Sequence, residues 1–521
     1  MHRHMVAVHI FSKTIEMNKE SRTKNSIRNI LFGLLSTAIN VAVSFVVRTA
    51  LVKSLGIENL SLNGLFNEII SMLSLVEMGT GMAIIYSLYK PISENDEKKI
   101  SQLMGLYRKA YHTIAIAIFI IGTAIMPFVH LLINEVDFSV SYIRIVFMLF
   151  VTMTASTYLF SFKISLLNAD QKQYLVSLIT ALVHLIFVLI FVAALLVFKN
   201  FIIYLVLLIV ESVVTNLILS VYVDRKYPFV DYREKLEESE RKEVFTNIKN
   251  IFWKRVSGVI TNSTDNILIS VLVGTIQVGF YSNYALIYRV FRTLISKVTG
   301  GVAASIGNLS VTSDSKHNIE VLKRLTFIYY LFGMIAASGL MCVSESFVTI
   351  WLGEKYVMID PAVYISVFIL FLDISAKPLW QFLEVSGLFR MDKYIGLLGN
   401  IVNMVISVIL GIRIGIIGIF IGTICAKFIE IVLKTFILYR NKFETNALSF
   451  YVFWLRILIS YCALTIISYF AIRPWKVSEH LIVEFLVKGS ISVCLALVTA
   501  VPLFIGGDEM KYCFKLLKHR G

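Results

Sequence analysis

The chain has little charge, little cysteine and few of the short motifs through which proteins handle nucleotides or metals. No Gly-Lys dipeptide occurs, which removes the phosphate-cradling loop and with it ATP hydrolysis by this chain. No HExxH and no Cys/His cluster is present, so no metal site is expected. The five cysteines (Cys342, Cys425, Cys462, Cys494, Cys513) lie in or beside apolar segments, and their odd number gives no disulfide framework. They are read as packing residues. Between Ile30 and Lys53 there is no Asp or Glu, so the first apolar run offers no acidic site for a cation.

Apolar sequence fills the space that charge leaves. With 57% hydrophobic and 16% charged residues, the chain reads as an all-α polytopic membrane protein. Fourteen transmembrane spans are expected near 29–51, 61–87, 111–133, 140–166, 174–197, 201–222, 250–273, 278–308, 325–350, 361–388, 394–412, 415–438, 452–472 and 482–505. The first run follows a long basic lead, so no cleavable signal peptide is expected. Met17 resembles a natural start, and residues 1–16 are assigned no function. The formal net charge of +15 is explained by topology rather than by nucleic acid. With the N-terminus inside, inside segments and adjoining span ends hold 35 of the 49 Lys and Arg, and outside segments hold 6. Both termini are therefore expected to be cytoplasmic.

Two halves repeat at about 220 residues. IRNIL at Ile27 matches IKNIF at Ile248, and YIRIVFMLF at Tyr142 matches YISVFILF at Tyr364. The same offset sets Gly81 and Ala83 on Gly301 and Ala303, and Glu77 opposite Lys297. Six spans per repeat keep the halves in one orientation, related by an axis along the membrane normal. The domain reading is a tail over 1–28, a six-helix bundle over 29–223, a cytoplasmic linker over 224–249, a second bundle over 250–440, and two further helices with a basic tail over 441–521. The linker, Asp224 to Phe245, mixes charges and reads as solvated with helical content.

Charged residues inside spans carry the functional signal, because such residues usually face a polar interior. In span eight, Arg289, Arg292 and Lys297 occupy one broad face and fit a phosphate site; a pair of snorkelling arginines is the plainer alternative. In span seven, Lys254, Gly258, Thr261 and Asp265 share a face, although Lys254 and Arg255 also fit a simple span end. Span ten holds Asp373, Lys377, Trp380 and Glu384 on one face, with Asp373 and Lys377 expected to pair and Glu384 left over. Lys427, Glu430 and Lys434 in span twelve are read as structural. His112, His130 and His184 stand singly on apolar spans, where a satisfied or interfacial histidine is the expected reading. The amphipathic stretch Lys98 to Tyr111 is expected to lie along the inner membrane surface.

Ser61 to Pro91, SLNGLFNEIISMLSLVEMGTGMAIIYSLYKP, sets Asn63, Asn67, Glu68 and Glu77 within a membrane-length run. Its wording and order, within residues 25–111 and more weakly to about 440, resemble the polysaccharide repeat-unit flippases (Wzx-type) of the multidrug/oligosaccharidyl-lipid/polysaccharide superfamily. The resemblance implies two six-helix bundles related by pseudo-two-fold symmetry, plus two C-terminal helices, and alternating access around a central cationic cavity. It implies a non-enzymatic flippase in a bacterial plasma membrane that moves undecaprenyl-pyrophosphate-linked oligosaccharide. Substrate contacts are then expected at Arg289, Arg292 and Lys297, with Arg48, Lys254 and Arg255. Ion coupling, to H⁺ or Na⁺, is expected at Glu77, Asp265 or Glu384, with no other cofactor. A polymerase or glycosyltransferases are candidate partners, besides the bilayer and the lipid-linked sugar. An ion-coupled drug antiporter of the same superfamily and a membrane glycosyltransferase or polymerase are the rivals. The first lacks its acidic site, and the second lacks a sizeable outside loop.

Overall fold

The computed structural model describes residues 2–518 apart from 78–79, 239, 243, 245, 247–263, 313, 473–474 and 476–479. No strand occurs among the described residues. Eleven helical segments among them are long and apolar enough to cross a membrane, and the chain is a multi-pass membrane protein. The difference from fourteen has identifiable sources. The first two expected spans share one helix up to Leu73, the span expected at 250–273 lies largely outside the described residues, and the eighth carries several charges.

The chain forms two compact units. Unit 1 comprises Met1–Leu132 and Asp137–Val256; unit 2 comprises Ile133–Val136 and Ser257–Gly521.

Unit 1 begins with α1 (His2–Leu73), which is two helices merged across a kink at Gly56. There φ is +81°, and an added Cβ would lie 2.5 Å from the Glu58 carboxylate, so glycine makes this corner. After Leu73 the chain tightens into a 3₁₀ turn, Ser74–Glu77, and resumes as α2 (Thr80–Glu94). The second expected span is therefore broken at Glu77. α3 (Glu97–Ile125) starts where the Asp96 side chain accepts from Lys99 N at 2.9 Å. It runs straight through the stretch expected to lie flat on the membrane. Ile100, Leu103, Met104, Tyr107 and Tyr111 pack with Leu166 and Leu219 in one core, so protein and not lipid covers this apolar face.

α4 (Val140–Ala169), α5 (Gln173–Phe198) and α6 (Phe201–Lys226) complete the unit. The α5–α6 corner uses Lys199 in the left-handed region and Asn200 as a cap, accepting from Ile202 N and Ile203 N. The linker that follows is packed rather than merely solvated: a Cβ on Gly105 would meet Glu234 O at 2.6 Å, and Ser101 Oγ donates to Phe229 O at 3.3 Å.

Unit 2 includes a helical segment over 264–272, then α7 (Thr275–Thr312), α8 (Ser315–Trp351), α9 (Asp360–Ser375), α10 (Lys377–Val385), α11 (Phe389–Ile414) and α12 (Ile416–Leu438). α13 (Leu448–Ile467), α14 (Leu481–Ala500) and the short α15 (Asp508–Lys518) follow. The most apolar stretches of α8 and of α9–α10 are 67% and 72% buried, against 39% or less for α11, α13 and α14, so they form the centre of the unit. The late helices pack onto α8, where Ser338 Oγ donates to Ser492 O at 2.8 Å. α11 and α12 approach backbone to backbone: a Cβ on Gly422 would stand 2.1 Å from Ser407 Oγ and 2.7 Å from Ser407 N.

Candidate functional site

α7 carries the cationic face. Arg289, Arg292, Ser296 and Lys297 are all exposed on it, and at 3.6 residues per turn they span about 140° of its circumference. Arg289 and Lys297 have no ion pair among the described residues. Arg292 differs, because its Nη2 lies 3.1 Å from Asp373 Oδ2 on α9. Asp373 also takes Lys427 from α12 through its other oxygen. One carboxylate thus serves two cations, leaving the cluster with one net positive charge.

The expected Asp373–Lys377 pair does not form as the main contact. Ala376 and Pro378 divide α9 from α10, and Lys377 beyond that break sits over the Trp380 ring, 5.8 Å from its centroid. Lys427 and Lys434 also lie over that ring, at 5.9 and 5.6 Å. Lys434 is buried and bound by Glu430 at 2.9 Å and Asp392 at 3.1 Å, which gives the charges of α12 the structural part read from the sequence. Glu384 is exposed near the end of α10 and takes no part in the ion pairs of Asp373.

Asp265 belongs to a second polar group. Thr423 Oγ1 lies 3.2 and 3.1 Å from its two carboxylate oxygens, and 3.5 Å from Asn403 Oδ1. Ser407 Oγ donates to the same Asn403 oxygen at 2.7 Å. These side chains come from three helices, and Asn403 and Thr423 are buried. Lys254, Arg255, Gly258 and Thr261, expected to share a face with Asp265, lie outside the described residues.

In unit 1, Glu77 sits at the broken span and accepts from Tyr158 Oη at 3.2 Å and Tyr111 Oη at 3.4 Å. A Cβ on Gly81 would lie 2.9 Å from the Tyr111 oxygen, so that glycine makes room for the phenol. Arg48 is half-buried on α1, and it and Glu211 both act electrostatically on the Tyr204 phenol.

Sequence reasoning passed over one arrangement. His184 is not a lone histidine: its Nδ1 hydrogen-bonds to Glu211 on α6. The partner lies on the next helix, 27 residues away, where no helical spacing links the two. A lone acid at the middle of an apolar span was the available signal.

Lipid II flippase MurJ, in an inward closed conformation, matches with a TM-score of 0.68 at 13% identity, covering 91% of this chain and 99% of that one. An inward-facing multidrug resistance MATE transporter of the MOP superfamily matches with a TM-score of 0.58 at 12% identity, over 76% and 94% of the two chains. A mutant of the Vibrio cholerae MATE transporter VcmN matches with a TM-score of 0.55 at 14% identity, over 82% and 99%. At these identities the likeness is one of fold. No protein of curated function matches the chain in sequence. The sequence pattern of the polysaccharide biosynthesis protein family matches residues 26–304, more than half of the chain, and the chain belongs to that family.

Proposed function

We propose that the protein is a flippase that carries undecaprenyl-pyrophosphate-linked oligosaccharide across a bacterial plasma membrane, by alternating access and without covalent chemistry. The observation that carries this reading is the exposed Arg289–Arg292–Lys297 face on α7 in a member of a polysaccharide biosynthesis family. Sugar hydroxyls and pyrophosphate lose several kcal/mol per unmet hydrogen bond in hydrocarbon, so a carrier must supply polar and cationic groups in their place. Arginine grips phosphate oxygens in pairs. In this reading Arg289 and Lys297 meet the pyrophosphate first. Arg292 joins by exchanging Asp373 for a phosphate oxygen, while Lys427 keeps Asp373 compensated. Arg48, Lys254 and Arg255 are further contacts.

The finer architecture belongs to the same proposal: fourteen spans, two six-helix bundles related by pseudo-two-fold symmetry, two added helices, and both termini cytoplasmic. Cation coupling is assigned to Asp265 with Asn403 and Thr423, or to Glu77; Glu384 is the third candidate. A polymerase or glycosyltransferases are the proposed partners. The drug-antiporter reading is disfavoured by the absence of an acid between Ile30 and Lys53.

Purified protein in liposomes, given a short-chain pyrophosphate-linked oligosaccharide on one leaflet, tests the proposal. Transfer to the other leaflet, measured by accessibility to an impermeant sugar oxidant, is the expected result. Transfer of organic cations with none of the lipid-linked sugar would overturn it.

A further inference from the structure

α5 is the most apolar of the eleven membrane-capable segments. Apart from Tyr174 at its start, its one titratable side chain is His184, the twelfth of 26 residues. Glu211 is the eleventh of 26 residues in α6, and the next acid on that helix is Asp224, near its other end. At 1.5 Å per residue Glu211 stands about 16 Å and His184 about 21 Å along its helix from the α5–α6 corner, within the inner part of a hydrocarbon layer about 30 Å thick. The two side chains hydrogen-bond there, and both are largely withdrawn from the surface, with side-chain exposures of 24% and 14%. Apolar packing would serve two membrane helices at lower cost than an imidazole and a carboxylate. Intramembrane ionisable groups are retained where their charge is used.

We propose that His184 and Glu211 form a proton-binding site at the centre of unit 1, distinct from Glu77, Asp265 and Glu384. With His184 neutral and Glu211 ionised the pair carries one negative charge; one proton taken up on the imidazole brings it to zero.

The groups around the pair fix the consequence. From α1, which packs along α5, comes Arg48; from α6 itself comes Tyr204, on which Arg48 and Glu211 both act. α4 contributes two charged residues, both engaged elsewhere. Arg144 donates to Pro127 O at 3.0 Å, and Lys163 binds Asp224 at 2.6 Å. Arg48 and Glu211 act on that phenol with opposite signs, so a proton taken up on the pair shifts the field that Arg48 feels, and this coupling step rests on the flippase reading of Arg48.

A separate polar line runs along α6 beside α4. Ser212, Asn216, Ser220 and Asp224 recur every four residues on α6, on one side of that helix. Asn216 and Ser220 are buried, at 7% exposure each. Thr157 on α4 bonds to Ser212 at 2.9 Å, and Lys163 donates to Ser220 at 2.8 Å. The line joins the middle of the helix to its charged loop end, Asp224 to Lys226, on the side of α6 that bonds to α4.

The test is a pH-difference infrared spectrum of the purified full chain in lipid nanodiscs, recorded between about pH 5 and pH 8. The wild type is expected to show imidazole and carboxylate bands that vanish in both His184→Gln and Glu211→Gln. Should the Gln variants fail to accumulate, His184→Lys, which keeps a fixed positive charge against Glu211, is expected to lose the same bands. Identical difference spectra in wild type and variants would overturn the site. Transport provides the second readout. The pH dependence of lipid-linked sugar transfer should flatten at least about five-fold in His184→Gln at equal protein, whereas an unaltered pH profile would overturn the coupling. A wild type that moves no lipid-linked sugar at any pH would defeat the flippase reading instead, and the spectra would still decide the proton site.

Discussion

Glu77 and Lys297 occupy matching positions in the two sequence repeats, yet their surroundings are opposite. In unit 1 the helix breaks into a 3₁₀ turn at Glu77, and two tyrosines hold the carboxylate. In unit 2 the helix runs unbroken from Thr275 to Thr312 and presents Lys297 with two arginines at its surface. The backbone differs with the charge: the sequence offset that aligns Gly81 with Gly301 sets a 3₁₀ turn against a continuous helix. A match in sequence therefore fixes neither the backbone nor the chemistry at these two positions. Unit 1 holds Glu77 between phenols and pairs His184 with Glu211; unit 2 exposes Arg289, Arg292 and Lys297 on α7, beside its own acids Asp265 and Asp373.

The largest effect that would sharpen this contrast is expected at Asp373. Asp373→Asn removes the one carboxylate shared by Arg292 and Lys427, and breaking the largely buried Lys427–Asp373 pair costs on the order of 3–5 kcal/mol. Thermal unfolding in detergent should show a strongly lowered midpoint and membrane abundance should fall. A variant as stable as the wild type would mean that the cluster is well hydrated and that Arg292 is already available to substrate.

A smaller loss, about 1–3 kcal/mol, is expected for Gly422→Ala, because the added methyl meets Ser407 Oγ and the Ser407 backbone N. Since that helix pair also positions Thr423 and Asn403 around Asp265, any sodium dependence of transport should weaken together with stability. Unchanged sodium dependence in a destabilised variant would detach Asp265 from coupling.

The smallest effect concerns the acid of unit 1. Tyr111→Phe deletes one of the two phenols on Glu77 and should cost about 1 kcal/mol, with Tyr158 still in place. Glu77→Gln keeps one phenol on its amide oxygen and can donate its NH₂ to the oxygen of the other, so it should leave stability within about 1 kcal/mol of wild type. If it also leaves transport per molecule and its pH profile unchanged, Glu77 is a structural acceptor and the proton chemistry of unit 1 rests on other groups.

Hydropathy made the membrane class readable because a span must be apolar over its whole length, and that is a local property. The corner at Gly56 and the broken span at Glu77 were marked only by glycines and an acid, and the helical run up to Leu73 could not be inferred from them. Span seven up to 263 lies outside the described residues, so the strip from Lys254 to Thr261 stands as read from spacing alone. Partners of the charged residues were the least legible feature. Asp373 looked set to pair with Lys377 four residues on; its partners instead come from 54 and 81 residues away, because Pro378 opens a new helix between them. The same holds for His184, whose acid lies on another helix. Spacing along one helix finds a shared face, but tertiary packing chooses which charges meet across faces.

The central claim, that the cationic face of α7 holds the anionic end of a lipid-linked sugar, is tested most directly by the arginines themselves. Polymer export is to be measured in a deletion strain complemented with each variant and normalised to protein in the membrane. Arg292→Lys should lose part of the activity, since a point charge replaces the planar fork, and Arg292→Ala most of it, with abundance unchanged in both. Arg289→Ala should be impaired in the same direction. Normal export per molecule in both Arg289→Ala and Arg292→Ala would remove α7 from the substrate path and contradict the account.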